Sequence, residues 1–306
     1  MKNYVKSFVI IILFKFKKII GFSKFYLKYL KCFFGDIRKL EYSFSFQERY
    51  LGARLYMYGY PNKTKEIYSS FDNNFDSVKL ADYSLFVSKK IFRPGELSHI
   101  YDETFYPWPK NPHSYETDFI GLKEGDIVID AGACEGLFTC HALDNNAGKV
   151  YLFEPLDILF DGLSKTFESQ IKKDKVAIIK KGLSDKSGTL NFDSKGEYIC
   201  MANFDDKGDD LADVTSLDEF VFQEGCTSVD FIKMDIEGAE IKSIIGAQNI
   251  IKKFKPSMSI AVYHGYENAK KIKDIILKID PSYKIKYGGC YMYERPYRPF
   301  MLYAYA

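Results

Sequence analysis

Four acidic side chains and one histidine stand where this chain could do chemistry: Asp130, Glu154, Asp235, Glu237 and His264. Each lies at or just beyond the end of a short apolar run that reads as a strand. Open α/β sheets bind ligands beyond the carboxyl ends of their strands. Asp130 follows Ile127-Val-Ile129 and opens the pattern D-x-G-x-x-x-G, with Gly132 and Gly136 bracketing a tight turn. Such a turn is expected to leave N–H groups free for a ligand. Glu154 closes Val150-Tyr-Leu-Phe153. An acid about 20 residues beyond a glycine turn is placed to accept from both hydroxyls of a ribose.

Ribose is common to nicotinamide and sulfonium cofactors, so the glycines must discriminate. The dinucleotide fingerprint is G-x-G-x-x-G, and a carboxylate at Asp130 would repel a pyrophosphate. Ala133 falls where no close approach to a diphosphate is needed. A cationic ligand without phosphate fits better, with S-adenosylmethionine the expected choice over the alternative of an NAD-dependent oxidoreductase.

The second dense stretch is Phe231-Ile-Lys-Met-Asp-Ile-Glu-Gly-Ala-Glu240. Asp235 ends a predicted strand and faces the same cleft as Asp130. Glu237 and Glu240 fall in the first turn of the next helix, where acids also complement the dipole. Lys233 is expected to pair with one of these acids. His264 closes the strand Ser257–Tyr263, and a neutral imidazole there would accept a hydroxyl proton. Asp235 or His264 is therefore the expected general base, with Glu237 positioning the acceptor. His99, His113 and His141 lack comparable placement. No metal is assigned, although metal assistance through Asp235 and Glu237 is an alternative.

These groups need elements to hold them. From Ser114 onward, strand and helix patterns alternate, which predicts an α/β sandwich with a mainly parallel sheet. Tyr115–Leu122 reads as a short helix capped by Ser114. Strands are expected over 126–131, Lys149–Glu154, Val176–Lys180, Val229–Asp235 and Ser257–Tyr263. Helices are expected over 136–146, 156–171, 216–222, Gly238–Ile251 and Glu267–Ile279. Gly188–Phe192 begins a hairpin, and Tyr283–Tyr287 with Phe300–Tyr305 closes the sheet as an antiparallel pair.

Upstream, Pro107, Pro109 and Pro112 mark the boundary between an aromatic-rich accessory region, 35–113, and the domain over 114–306. Helices are expected at Gln47–Tyr60 and Phe75–Lys89, and irregular chain at Ile91–Phe105. Residues 1–34 carry eight lysines and no acid. The apolar run Phe8–Phe14 is far shorter than the roughly 20 residues that span a bilayer. This segment reads as a basic helix making peripheral contact with an anionic membrane, or packing on its own domain.

The 306 residues carry a net charge of only +2, which argues against general attraction to nucleic acid. Six scattered cysteines without a C-x-x-C pair argue against a disulfide framework or zinc site and suit a reducing cytosol, at most at the inner face of the membrane. The 24 tyrosines and 26 phenylalanines suggest sugar- or lipid-facing rings, or simply an aromatic core.

At these motifs the sequence resembles the FkbM family of S-adenosylmethionine-dependent methyltransferases. The matching pieces are Ser114-Tyr-Glu116, Gly125 to Gly136, Val150 to Pro155, Gly182-Leu-Ser-Asp185 with Gly188-Thr-Leu190, Thr215-Ser-Leu-Asp218, Ile232 to Glu240, Ile260 to His264 and Leu302-Tyr-Ala304. Together they cover about 112 to 306. The resemblance implies a seven-stranded, Rossmann-like class I methyltransferase fold, here with a mainly helical N-terminal extension. It implies methyl transfer, usually to oxygen, on sugar hydroxyls of surface glycans or on related metabolites. It places Asp130, Gly132 and Glu135 at the methionine and ribose end of the cofactor, with Ala133, Gly136 and Asp235 around them. Glu154 would hold the ribose hydroxyls beside Pro155, Leu183 and Ser184 would lie near the adenine, and Glu116 would meet the amino group. Cys134-Glu135 departs from the Asn and apolar residue of many relatives. A membrane-associated module that keeps the fold without activity is the remaining alternative. Retention of Asp130, Glu154, Asp235 and His264 together counts against it.

Overall fold

The computed structural model describes residues 42, 44–60, 64–192 and 210–306. The basic segment 1–34 lies outside them. Among the described residues, no helix is long and apolar enough to cross a membrane.

Seven strands form the central sheet. In chain order they are β4 (Ile127–Ala131), β5 (Lys149–Phe153), β6 (Val176–Ile179), β10 (Phe231–Met234), β11 (Ser257–Ala261), β12 (Lys284–Tyr291) and β13 (Arg298–Tyr305). Their spatial order is β12-β13-β11-β10-β4-β5-β6, and only β13 runs against its neighbours. This is the expected sandwich, with the antiparallel pair closing it.

Successive side chains on a strand point to opposite faces, so apolar runs buried on both sides hold two helical layers. Val128, Val150, Leu152 and Phe231 pack on one face with Phe138 and Ala142 of α3 (Leu137–Asp144) and Leu163 of α4 (Asp157–Thr166). Ile129, Tyr151, Phe153 and Ile232 pack on the other, against α6 (Leu217–Gln223), α7 (Glu240–Ile245), α8 (Gln248–Phe254) and α9 (Asn268–Ile279). Helix α9 shows why: Ala269, Ile272 and Ile276 fall on one stripe and are all buried. The expected helix over 156–171 continues past α4 as α5 (Glu168–Lys172).

The predicted helix over 238–251 is broken into α7 and α8. Gly246 sits so near the Ser184 carbonyl that a Cβ would meet its oxygen at 2.2 Å. Asp218 then caps the second piece, accepting from the N–H groups of Asn249 and Ile250, both at 2.9 Å. Ser216 caps α6 through the N–H of Glu219 at 3.2 Å, as its spacing predicts. A small sheet, ordered β7-β9-β8, joins β7 (Gly182–Leu183) to β8 (Gly188–Phe192) and β9 (Asp210–Thr215).

The accessory region departs further from expectation. Helix α1 (Phe46–Tyr58) agrees, with a capping box between Ser45 and Glu48. Phe75–Lys89 is not a helix but a hairpin of β2 (Phe75–Leu80) and β3 (Tyr83–Ser88), extended by β1 (Glu66–Ser70). The i, i+3 spacing of Phe75 and Val78 imitates a helix. The turn lacks the usual glycine, since Ala81 itself takes φ +52. Glu96–Phe105, expected irregular, is α2. The extension is thus helix and sheet together. Its hairpin packs Val78, Leu80, Leu85 and Val87 onto Leu97, Leu137, Leu156 and Leu159.

Tyr115–Leu122 forms no helix. Thr117 caps a turn there, accepting from the N–H groups of Phe119 and Ile120 at 3.2 Å. Ser114 hydrogen-bonds the Glu116 carbonyl instead of capping, at 2.6 Å.

Candidate active site

At the end of β4 the chain turns at Gly132, φ +79. It passes so close to the end of β10 that a Cβ on Gly132 would lie 1.9 Å from the carbonyl oxygen of Asp235. Only glycine fits. Gly132→Ala is expected to cost about 1–2 kcal/mol for the left-handed backbone alone, with the overlap adding to it. A thermal melt should show the loss, and an unchanged melting temperature would contradict this reading.

Four of the turn's N–H groups are taken within the protein. Gly132 and Ala133 donate to the Phe153 carbonyl at 3.1 and 3.3 Å, and Gly136 to the Ala133 carbonyl at 2.8 Å. Cys134 donates to Glu154 Oε2 at 3.2 Å. The loop is thereby tied to the end of β5.

Asp130 is held in a buried ion pair. It is fully buried, 3.1 Å from Lys233 Nζ, and accepts from Thr139 Oγ1 at 2.8 Å. Lys233 is the expected pair, but it neutralises the carboxylate that was to meet an amino group or ribose and repel pyrophosphate. Burial acts to lower the Lys233 pKa, and Asp130 and Asp235 outweigh it. The ammonium also donates to the carbonyls of Ala131, at 3.3 Å, and Gly132.

A cavity of about 620 Å³ opens beyond these strand ends, within the usual range for small-molecule sites. It brings together Gly132, Ala133, Glu135, Glu154, Pro155, Leu183, Asp235 and Glu237 of the predicted residues. Asp130, Gly136, Ser184, Glu116 and His264 are not part of its wall. Gly136 packs under Phe167, and Ser184 is held by the Thr215 carbonyl and Asp185. Glu116 accepts from the Leu122 N–H at 2.7 Å and contacts His141, on a separate pocket lined by Phe105 and Trp108. It is not placed to meet a cofactor amino group in the main cavity.

Glu154 accepts one N–H on each oxygen, from Cys134 and, at 3.0 Å, from Leu156. Each oxygen keeps lone-pair capacity for a ligand. Burial pushes its pKa up to about 7, and burial likewise raises Glu135 to about 6.

Asp235 is the centre of a second group. Its Oδ2 accepts from Tyr115 OH at 2.9 Å and lies 3.5 Å from His113 Nε2. His113 in turn meets Glu103 at 2.5 Å. Burial acts to raise the Asp235 pKa, but His113, His264, Lys233 and Tyr115 outweigh it and hold the carboxyl below its ordinary value. His264 places Nδ1 2.8 Å from Glu240 Oε1. Its Nε2 is 3.2 Å from Glu237 Oε2 and 3.5 Å from Asp235 Oδ1, with neither aligned as a hydrogen bond. Burial would lower its pKa, yet Glu237 and Glu240 push it up to about 11. His264 is not among the residues lining the cavity, whereas Asp235 is. Glu240 is fully buried and accepts from the N–H groups of Ile236 and Gly238 at 3.2 and 3.3 Å. It orients His264 rather than serving the helix dipole.

Tyr115, His113 and Glu103 are the neighbours of Asp235 that sequence reasoning missed. His113 follows a proline-rich stretch that reads as a linker, and no strand end announces it. The accessory region also supplies His99, Glu96, Tyr60 and Leu55 to the cavity wall.

The model of the FkbM methyltransferase domain matches residues 130–286, just over half of the chain. The chain belongs to the FkbM methyltransferase family. S-adenosylmethionine is the cofactor that goes with this family assignment. A solved FkbM methyltransferase from Methylobacillus flagellatus KT is 20% identical, TM-score 0.49, over 71% of this chain and 49% of that one. This chain therefore spans about half the length of that relative. A Streptococcus mutans protein solved with S-adenosylhomocysteine is 16% identical, TM-score 0.36, covering 70% and 98%. Spermidine synthase from Thermotoga maritima is 13% identical, TM-score 0.39, covering 79% and 72%. The family assignment rests on the domain match and not on these likenesses. The search of curated proteins gave no match.

The cavity suits the FkbM cofactor. Six carboxylates (Glu96, Glu103, Glu135, Glu154, Asp235 and Glu237) line it against a single lysine, Lys233. That excess of negative charge favours a sulfonium and disfavours a pyrophosphate, a role the sequence reading gave to Asp130 alone. Glu154 would hold the ribose hydroxyls, and Leu183 would offer apolar surface to the base.

Proposed function

We propose that this FkbM protein transfers a methyl group from S-adenosylmethionine to a hydroxyl oxygen of a sugar, in the making of a surface glycan or related metabolite. The observation that carries the reading is that Glu154 and Asp235, on the two strands flanking β4, open into one cavity. Bound there, S-adenosylmethionine supplies a methyl carbon already activated by its sulfonium. The protein's share is to hold the acceptor oxygen in line and to take its proton.

Asp235 is the group assigned to that proton, because it lines the cavity and its Oδ1 has no hydrogen-bond partner. Carbon–oxygen bond formation and carbon–sulfur cleavage leave the hydroxyl proton on this carboxylate. Tyr115 and His113 fix the carboxylate from behind, and Glu237 faces the acceptor. Tyr263 and Tyr291 stack at 5.1 Å beside Phe300 and Tyr293, giving ring faces that suit the apolar face of a sugar.

The test is calorimetry with S-adenosylhomocysteine and NADH, followed by release of S-adenosylhomocysteine across a panel of sugar acceptors. S-adenosylhomocysteine should bind and NADH should not, with turnover on hydroxylated sugars. The absence of both a heat signal and a thermal upshift with S-adenosylhomocysteine would overturn the proposal.

The pKa of Glu154 gives a second check. Its ionised form is the better acceptor for ribose hydroxyls, so affinity for S-adenosylhomocysteine should rise about tenfold from pH 6 to pH 8, for a group titrating near 7. Glu154→Gln should flatten that dependence. The linkage for folding has the opposite sense. The native carboxyl binds its proton more tightly than the unfolded one, so this group's contribution to stability falls as pH rises from 4.5 to about 7.

A further inference from the structure

We infer that Asp235, Glu237 and His264 form a binding site for one hard divalent cation. Their ligand atoms, one carboxylate oxygen each from Asp235 and Glu237 and one ring nitrogen from His264, all lie within 4.8 Å of one another. Acidic residues in a cluster would not suffice for this. The second observation is the His264 ring, only 8% exposed, whose Nε2 has no hydrogen-bond partner and is aimed between the two carboxylates. Asp235 Oδ1, which faces it, has none either.

The spacing has the form of a coordination shell rather than of a hydrogen-bonded pair. Charge-assisted N–H···O bonds run at about 2.7–2.9 Å. Nε2 stands off at 3.2 and 3.5 Å from Glu237 and Asp235. Adjacent ligands on a hard divalent cation lie about 3.0–3.5 Å apart, given the metal–oxygen distances of magnesium and calcium.

The other side of the ring is arranged as it is in metal sites. A ligating histidine donates its second N–H to a carboxylate, which fixes the tautomer and aims the free nitrogen. Here Glu240, buried and held by two backbone N–H groups, receives Nδ1 at 2.8 Å. The local backbone serves the same end. Glu237 adopts φ +52 and Gly238 φ +102, so the chain turns at the second carboxylate, two residues after Asp235. Two carboxylates and one imidazole suit manganese or magnesium better than a soft metal.

With the cation bound, Asp235 Oδ1 would be a ligand, so the proton role given to it above belongs to the chain without the cation. Three protein ligands leave positions open on such a cation, and Asp235 and Glu237 border the cavity. A pair of neighbouring hydroxyls would fill two of those positions, which narrows the acceptor to a vicinal diol. That narrowing rests on the proposed methyl transfer, whereas the cation site itself does not.

The test adds Mn²⁺ to the full chain and follows free Mn²⁺ by electron paramagnetic resonance. S-adenosylhomocysteine is titrated into the same samples by calorimetry. One Mn²⁺ per chain is expected. Glu237→Gln and His264→Gln should each weaken it tenfold or more, and Glu240→Gln, which leaves all three ligands, about tenfold. Binding of S-adenosylhomocysteine to Glu237→Gln should stay within a few-fold of the parent. No Mn²⁺ binding by a chain that binds S-adenosylhomocysteine overturns the cation site and leaves the proposed activity standing. Mn²⁺ binding undiminished in both ligand variants overturns it as well, because the ion then sits elsewhere. Mn²⁺ binding that is lost in the variants, in a chain blind to S-adenosylhomocysteine, upholds the site and removes methyl transfer.

Discussion

Asp235→Asn should lower kcat by about 10²–10⁴-fold, the usual worth of a general base, while affinity for S-adenosylhomocysteine stays within a few-fold. The amide has nearly the carboxylate's shape and can still accept from Tyr115, whose OH now meets Oδ2 at 2.9 Å. What it loses is the capacity to take a proton from a hydroxyl. The split between turnover and binding is what separates a reacting group from a cofactor ligand. Rate measurements at saturating acceptor, with calorimetry on the same preparation, decide it. Loss of S-adenosylhomocysteine binding in step with the rate would move Asp235 into the cofactor shell.

The largest effect on stability is expected at Lys233. Its ammonium and the Asp130 carboxylate face each other at 3.1 Å, with side-chain exposures of 5% and 0%. Lys233→Ala strips a buried charge of its partner, which costs about 3–5 kcal/mol. The double change Lys233→Met with Asp130→Leu removes both charges and fills similar volume, so it should recover much of that loss. Denaturant midpoints of the single and double variants measure both. A single variant as stable as the parent would show that the pair does not hold the ends of β4 and β10 together.

The order and character of the core elements were readable because the apolar runs are short, β-branched and bounded by acids or glycines. Ile127-Val-Ile129 and Phe231-Ile232 could hardly be anything but buried strands. The hairpin at Phe75–Ser88 was not readable, since Ala81 takes a left-handed turn that sequence normally marks with glycine or asparagine. Glu154 and Asp235 were found because each sits at a strand tip. Asp130 shares that position, but its charge is answered from the neighbouring strand, a register effect that one strand's sequence cannot display. His113 arrives from a stretch with no regular structure, so nothing in its own neighbourhood signals Asp235.

The wall contributed by α1, α2 and the residues around them lies wholly upstream of the span matched by the family domain. One side of the cavity and the strand tips opposite it are therefore supplied by separate stretches of the chain. Substitutions at Leu55, Tyr60 or His99 should alter that side of the cavity while leaving Glu154 and Asp235 at the strand tips in place. Diversification by such piecemeal change needs no redesign of the reaction, only a new lining on one side.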